Sequence, residues 1–138
     1  GWGIEQAREA LAAVPALSAE GIERLLQVYG GRAIGIAAIA KQRPELARCI
    51  DGAAALPEAE IAFVIGEELP RTLIDIVYRR MMTGLDADQG RPHYARIAEV
   101  AAAEFGWEDT RRDAELHALR AHADSLQVAR TETRKLMS

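Results

Sequence analysis

The chain has little cysteine and few aromatic residues, and these shortages exclude several classes of protein. Its 138 residues include 1 cysteine, 2 phenylalanines, 3 tyrosines and 2 tryptophans. The single cysteine, Cys49, cannot form an internal disulfide and has no C-x-x-C partner, so neither a disulfide scaffold nor a cysteine-based zinc site is expected. The 3 histidines are spread along the chain without metal-ligand spacing, and no Ser-His-Asp or Cys-His arrangement stands out.

Positive charge and long apolar runs are also scarce. With 17 Lys and Arg against 21 Asp and Glu, the net charge is -4, which argues against nucleic acid as a partner. The apolar run from Ala33 to Ala40 is far shorter than the roughly 20 residues that cross a bilayer. No basic region precedes an apolar one at the N-terminus, so we expect no signal peptide. The first residue is Gly1 rather than Met, which indicates a piece of a longer protein.

Alanine is what the chain has in abundance, with 27 residues of this type. Alanine is the best helix former and the smallest core side chain, so closely packed helices are expected. Residues typical of strands are sparse and do not alternate. The composition therefore predicts an all-α fold, as a single compact domain of about six to seven helices.

Breaks and caps in the sequence divide the chain into helical segments. Residues 1–17 form a linker or a short leading helix, residues 18–129 the helical domain, and residues 130–138 a polar tail that we expect to fray. Ser18 and Thr72 are predicted N-caps, while Gly30, Pro70 and Gly106 are predicted to end helices. The predicted helices are 3–14, 19–29, 32–42, 44–50, 58–69 with Leu69 on its apolar face, 72–82, 92–105 and one that begins near residue 108.

Two glycine-containing stretches resemble the sequence motifs of ligand-binding loops but lack residues that those motifs require. "YGGRAIG", from Tyr29 to Gly35, follows a helix rather than a strand and lacks the phosphate-loop lysine or third glycine. We interpret Gly35 as a point where a neighbouring helix approaches closely. The same segment could be a helix-turn-helix, but its second helix has no side chain that reads a base. "DADQGR" begins like a calcium loop, yet Gly90 occupies the fifth position, which needs an oxygen ligand.

The candidate site residues lie on the predicted helix 72–82 and at the end of the helix before it. Asp75 and Arg79 are four apart in the order that favours an ion pair. Arg80 falls on the margin of the apolar face, so its guanidinium is expected to be partly buried and to need an anionic or carbonyl partner. Glu67 and Glu68, just before Pro70, are the nearest candidates by sequence. A contact outside the domain is the alternative for this arginine.

Three spaced segments resemble one known family. "YGGRAIGIAAIAKQRPELARCI", "EIAFVIGEELPRTLIDIVYRRMMTG" and "RIAEVAAAEFGWEDTRRDAEL" occur in the order found in the helical C-terminal domain of FAD-dependent, respiratory glycerol-3-phosphate dehydrogenases. The resemblance covers about Ser18 to Ser125. "MMTG" departs from the basic or polar residues that usually follow the arginine pair in this family.

The resemblance implies a parent flavoenzyme that oxidises sn-glycerol 3-phosphate to dihydroxyacetone phosphate through FAD and a quinone acceptor. FAD and the catalytic residues would belong to N-terminal FAD and substrate domains of the same chain, so this part would be non-catalytic and bind neither FAD nor metal. The expected location is cytoplasmic. The parent enzyme would be a peripheral protein on the inner face of the cytoplasmic membrane, and a homodimer is one possible assembly for it. The alternative is a free-standing helical protein-interaction module.

Overall fold

Helices make up most of the chain in the computed structural model, which describes residues 2–50, 55–81 and 91–137, with Trp2 and Arg80 described for their backbone only. The part described contains no strand, and its one isolated bridge joins Cys49 to Pro57. The predicted single all-α domain is therefore confirmed. The helices are α1 Trp2–Ala12, α2 Ala19–Tyr29, α3 Ile34–Gln42, α4 Glu58–Glu68, α5 Leu73–Ile76, α6 Tyr94–Phe105 and α7 Asp109–Met137.

The predicted caps lie at the observed helix ends. The Ser18 hydroxyl accepts a hydrogen bond from the Gly21 N–H at 3.0 Å, and Thr72 accepts one from the Asp75 N–H at 3.1 Å. Both bonds satisfy backbone donors that the first helical turn leaves unpaired. Gly30 and Gly106 end α2 and α6 with positive φ angles, a conformation that glycine adopts without steric cost.

Leu69 departs from the prediction, which placed it on the buried face of its helix. The helix ends one residue earlier, at Glu68, and Leu69 takes a left-handed conformation with φ of 49°. Its side chain is 76% exposed. Pro70 cannot continue a helix, and the residue before a proline is driven out of the right-handed helical region. The turn therefore directs Leu69 away from the core.

The core is organised around α4, which packs against both α3 and α6. Every residue from Glu58 to Ile65 is buried, so this helix is surrounded by protein on all sides along its first two turns. A Cβ atom built on Gly35 would lie only 2.7 Å from the ring of Phe63. The predicted close approach of a neighbouring helix at Gly35 is confirmed, and α4 is that neighbour.

Residues 44–50 do not form the short helix that was predicted. Only Pro44–Leu46 is helical, as a single 3₁₀ turn. The chain then runs alongside the segment before α4: the Ile50 N–H donates to the Leu56 carbonyl at 2.8 Å, and the Glu58 N–H donates to the Arg48 carbonyl at 2.9 Å. In a helix over residues 44–50 the Ile50 N–H would donate to the Leu46 carbonyl, and its bond to Leu56 replaces that helical bond.

The end of the chain is also more regular than expected. Residues 130–137, predicted to fray, continue α7 as far as Met137, although their side chains are exposed. In the first half of α7, Leu119 and Ala123 are buried against the domain. No helix within the described ranges is long and apolar enough to cross a membrane.

Candidate functional site

Two buried glutamates in the first turn of α4 form the most unusual polar feature of the described residues. Glu58 is 2% exposed and Glu60 is 0% exposed. Transfer of a carboxylate from water into a protein interior is unfavourable unless cations or hydrogen-bond donors compensate the charge. The arrangement of the partners of these two residues therefore determines what this site can do.

Glu60 is held by two residues of α2. Arg24 donates two parallel hydrogen bonds to its carboxylate, at 2.8 and 3.0 Å, and the Tyr29 hydroxyl donates a third at 2.6 Å. The Arg24 side chain is itself only 10% exposed. Bidentate arginine–carboxylate pairs are among the strongest and most directional in proteins. This cluster fixes the distance and orientation of α2 relative to α4.

Glu58 connects α4 to α6 in the same way. Arg96 of α6 donates two hydrogen bonds to it, at 2.8 and 2.9 Å, and the Arg48 guanidinium lies 3.2 Å away. The hydrogen bonds to Glu58 raise the pKa of Arg96 above its ordinary value. Arg96 also donates to Glu99 one turn along α6. Glu58 therefore joins three segments of the chain.

The geometry of both clusters is that of structural ion pairs. A general acid or base needs a carboxylate that can exchange a proton with a substrate in a cavity. Both oxygens of Glu60 accept hydrogen bonds from buried donors, and both oxygens of Glu58 face arginines. A small cavity of about 200 Å³ beside Glu58 is lined by charged side chains, which include Arg43 and Glu104. The hydrogen bond between these two residues raises the pKa of Arg43 above its ordinary value. Both carboxylates lie in the first turn of α4, where the positive end of the helix dipole stabilises negative charge.

The residues selected from the sequence lie elsewhere, at the junction of α4 and α5. Glu67 is exposed and Glu68 is half-buried at the end of α4. Arg79 is exposed, whereas the side chain of Arg80 lies outside the described part of the structure. The proposed partnership of Arg80 with Glu67 or Glu68 therefore stays a prediction.

The structure gives the Asp75 carboxylate a partner other than the predicted Arg79, and their ion pair stays a prediction. The Asp75 carboxylate accepts a hydrogen bond from the Arg71 N–H at 3.4 Å. After α5, residues Val77–Met81 form a π-helical turn that contains Arg79.

The other candidate ligands are not brought together. The described residues contain no group of three or more His, Cys, Asp or Glu that could hold a metal ion. His122 lies edge-on to Tyr78, with 4.7 Å between ring centroids. The Cys49 thiol donates to the Ala16 carbonyl at 3.5 Å. The rejected calcium loop, residues 86–91, lies outside the described residues except for Arg91.

Sequence reasoning missed Glu58 and Glu60 as site residues. Acidic residues in a first helical turn are common and are normally solvated, so their position alone gave no signal. Their arginine partners are 36 and 38 residues away along the chain. The usable signal was the apolar run that follows both glutamates, because a helix that is apolar on all sides is buried together with its charges.

The protein is an all-α domain, and its buried charged residues form ion pairs that hold its own helices together. Comparison with protein families then identifies the domain. A family model for the C-terminal domain of alpha-glycerophosphate oxidase, DAO_C, matches residues 1–112. The chain belongs to this family. No curated protein and no solved structure matches the chain.

Removal of one buried carboxylate is expected to be strongly destabilising. Glu60→Ala removes the carboxylate that accepts three hydrogen bonds from Arg24 and Tyr29, and we expect a loss of about 3–5 kcal/mol of unfolding free energy. Glu99→Ala is the matched control, because Glu99 also binds an arginine but its side chain is 55% exposed; its loss is expected to be below about 1 kcal/mol. Urea unfolding followed by circular dichroism measures both. Equal losses would contradict the structural role of Glu60.

A second test concerns Arg80, which we expect to stabilise the α4–α5 junction. Arg80→Ala is predicted to lower the melting temperature of the chain, and Glu68→Gln is predicted to remove most of that effect in a double-mutant cycle. Arg79→Ala is the control, since Arg79 is exposed on the same turn. An unchanged melting temperature for Arg80→Ala, together with lower activity of the full-length enzyme, would favour a contact outside the domain.

Proposed function

We propose that the chain is the accessory C-terminal domain of a flavoenzyme that oxidises sn-glycerol 3-phosphate to dihydroxyacetone phosphate. FAD accepts the two electrons removed from the substrate carbinol, and a quinone then reoxidises the flavin. The observation that supports this proposal is the family match over residues 1–112. The family description names an oxidase of alpha-glycerophosphate, which agrees with the substrate and with the direction of the reaction.

The domain itself is proposed to be non-catalytic. Its buried carboxylates are bound by its own arginines, as Glu60 is by Arg24, so they serve the packing of α2, α4 and α6 rather than a substrate. The FAD and substrate sites are then contributed by the N-terminal domains of the same chain. We propose a cytoplasmic location, with the parent enzyme on the inner face of the cytoplasmic membrane, where quinone is available, and a homodimer as its assembly.

The test uses the full-length protein. It is expected to purify with a flavin absorption spectrum that sn-glycerol 3-phosphate bleaches in the absence of an acceptor. Addition of a short-chain quinone should restore the spectrum and produce one dihydroxyacetone phosphate per quinone reduced. The mirror-image compound sn-glycerol 1-phosphate and unphosphorylated glycerol are the matched control substrates, and neither should bleach the flavin.

One further outcome would change the proposed electron acceptor, and others would contradict the proposal as a whole. Reoxidation by oxygen with formation of hydrogen peroxide, at a rate above that with quinone, would replace the quinone by oxygen and leave the substrate assignment intact. Absence of flavin from the full-length protein, or glycerol 3-phosphate turnover by residues 1–138 alone, would contradict the proposal.

A further inference from the structure

The first two turns of helix α3 are apolar on their exposed side as well as on their buried side, and the exposed Lys41 and Gln42 follow at the end of the helix. Ile36, Ala37 and Ala40 face the core of the domain. On the opposite side Ile34 is 44% exposed, and Ala38 is exposed one turn further on. A surface helix normally carries polar residues on its outer face, and a helix that is apolar all round is typical of the interior of a larger protein. The outer face of α3 therefore has the composition of a covered surface.

Residues of this outer face, together with the edges of Ala37 and Ala40, form one wall of a groove of about 590 Å³. The end of α1 and the segment after α3 form the other walls, and most of the side chains are small and apolar. The single charged residue among them is Lys41, at the end of α3. The lining residues are Ala10, Ala13, Val14, Pro15, Ile34, Ala37, Ala38, Ala40, Lys41, Pro44 and Ala47.

The chemistry of the groove favours a protein segment over a small molecule. A small-molecule site combines apolar walls with several convergent polar groups that orient the ligand, and here the only charged one is Lys41. Alanine walls let the backbone of a packed helix or loop approach closely. Exposed apolar surfaces of this kind mark contacts between proteins or between domains.

We propose that this groove, lined by α1, α3 and the segment 44–47, is the surface by which the domain docks onto the catalytic body of its parent enzyme. The inference rests on the proposed function, because it takes the occupant to be the N-terminal domains of the same chain. The docking segment is apolar and carries a carboxylate or the carbonyl end of a helix against Lys41.

The connectivity of the family favours this occupant over other proteins. The matched family is the C-terminal domain of a larger oxidase, so the body of the enzyme precedes α1 in the chain. Ala10 and Ala13, on the α1 side of the groove, follow the start of that helix by only 8 and 11 residues. At about 1.5 Å per helical residue, this wall lies within about 20 Å of the point where the body joins the domain.

Hydroxyl-radical footprinting of the full-length enzyme tests the proposal directly. The side chain of Ile34 should be labelled about tenfold more slowly in the full-length enzyme than in residues 1–138 alone. Val128, which is 58% exposed on α7, is the internal reference and should be labelled equally in both proteins. Equal labelling of Ile34 in both proteins would overturn the proposal. Protection that appears only at concentrations where copies associate, as measured by light scattering, would assign the groove to a second copy and also overturn it.

A substitution pair provides the second measurement. Ala38→Arg places a long charged side chain in the groove, while Ala118→Arg makes the same change on an exposed turn of α7. Both variants of residues 1–138 should melt close to the wild-type temperature, because neither alanine is buried. In the full-length enzyme Ala38→Arg should restore the labelling of Ile34 and increase proteolytic cleavage between body and domain about tenfold, as for a docking equilibrium weakened by 1.4 kcal/mol. Ala118→Arg should leave both readouts unchanged.

These readouts do not depend on the identity of the substrate. If Ile34 is protected but glycerol 3-phosphate does not bleach the flavin, the docking surface stands and the proposed substrate fails. If the flavin is bleached and Ile34 is labelled as in the isolated domain, the proposed function stands and the docking surface fails.

Discussion

The packing of the domain depends on the compensation of two negative charges inside α4. This helix is buried on all sides along its first two turns, so the carboxylates of Glu58 and Glu60 enter the core with it. Two charges in a medium of low polarity would prevent folding if they were unpaired, because each would lose several kcal/mol of hydration free energy. Their arginine partners are therefore a condition for α4 to occupy the centre of the fold.

The same requirement fixes the arrangement of the surrounding helices. Arg24 lies on α2 and Arg96 on α6, so the carboxylates can be satisfied only when both helices are packed at the correct distance from α4. Apolar contacts alone tolerate some sliding of one helix over another, whereas bidentate hydrogen bonds do not. Arg48 adds the segment before α4 to this arrangement. Specificity of packing is thus a consequence of the buried charges, as well as of side-chain shape.

The parts of the fold that follow from local chemistry could be predicted from the sequence. The caps at Ser18 and Thr72 and the glycine ends at Gly30 and Gly106 depend on residues only a few positions apart. The error at residues 44–50 has a cause outside that segment. The segment 44–50 is unwound by backbone pairing with Leu56 and with Glu58 at the start of α4. Partners 36 to 38 residues apart, as in both glutamate clusters, have no signature in one sequence.

The buried charges of the domain are compensated inside it, while an apolar groove remains exposed on its surface. Its buried ion pairs are satisfied by its own residues, while the outer face of α3 remains apolar and open. This division agrees with membership of a family defined as the C-terminal domain of a larger oxidase. Under the proposed docking, this apolar face is the one that joins the enzyme body.

Native-state hydrogen exchange tests the central role of α4 most directly. If the buried ion pairs hold the core together, the α4 amides from Ala62 to Ile65 should exchange only by global unfolding. Their opening free energy should then equal the unfolding free energy from urea, with the same dependence on denaturant. The amides of residues 130–137 in α7 should exchange much faster. Exchange of the α4 amides through a local opening, at lower free energy than the amides of α6, would contradict this role.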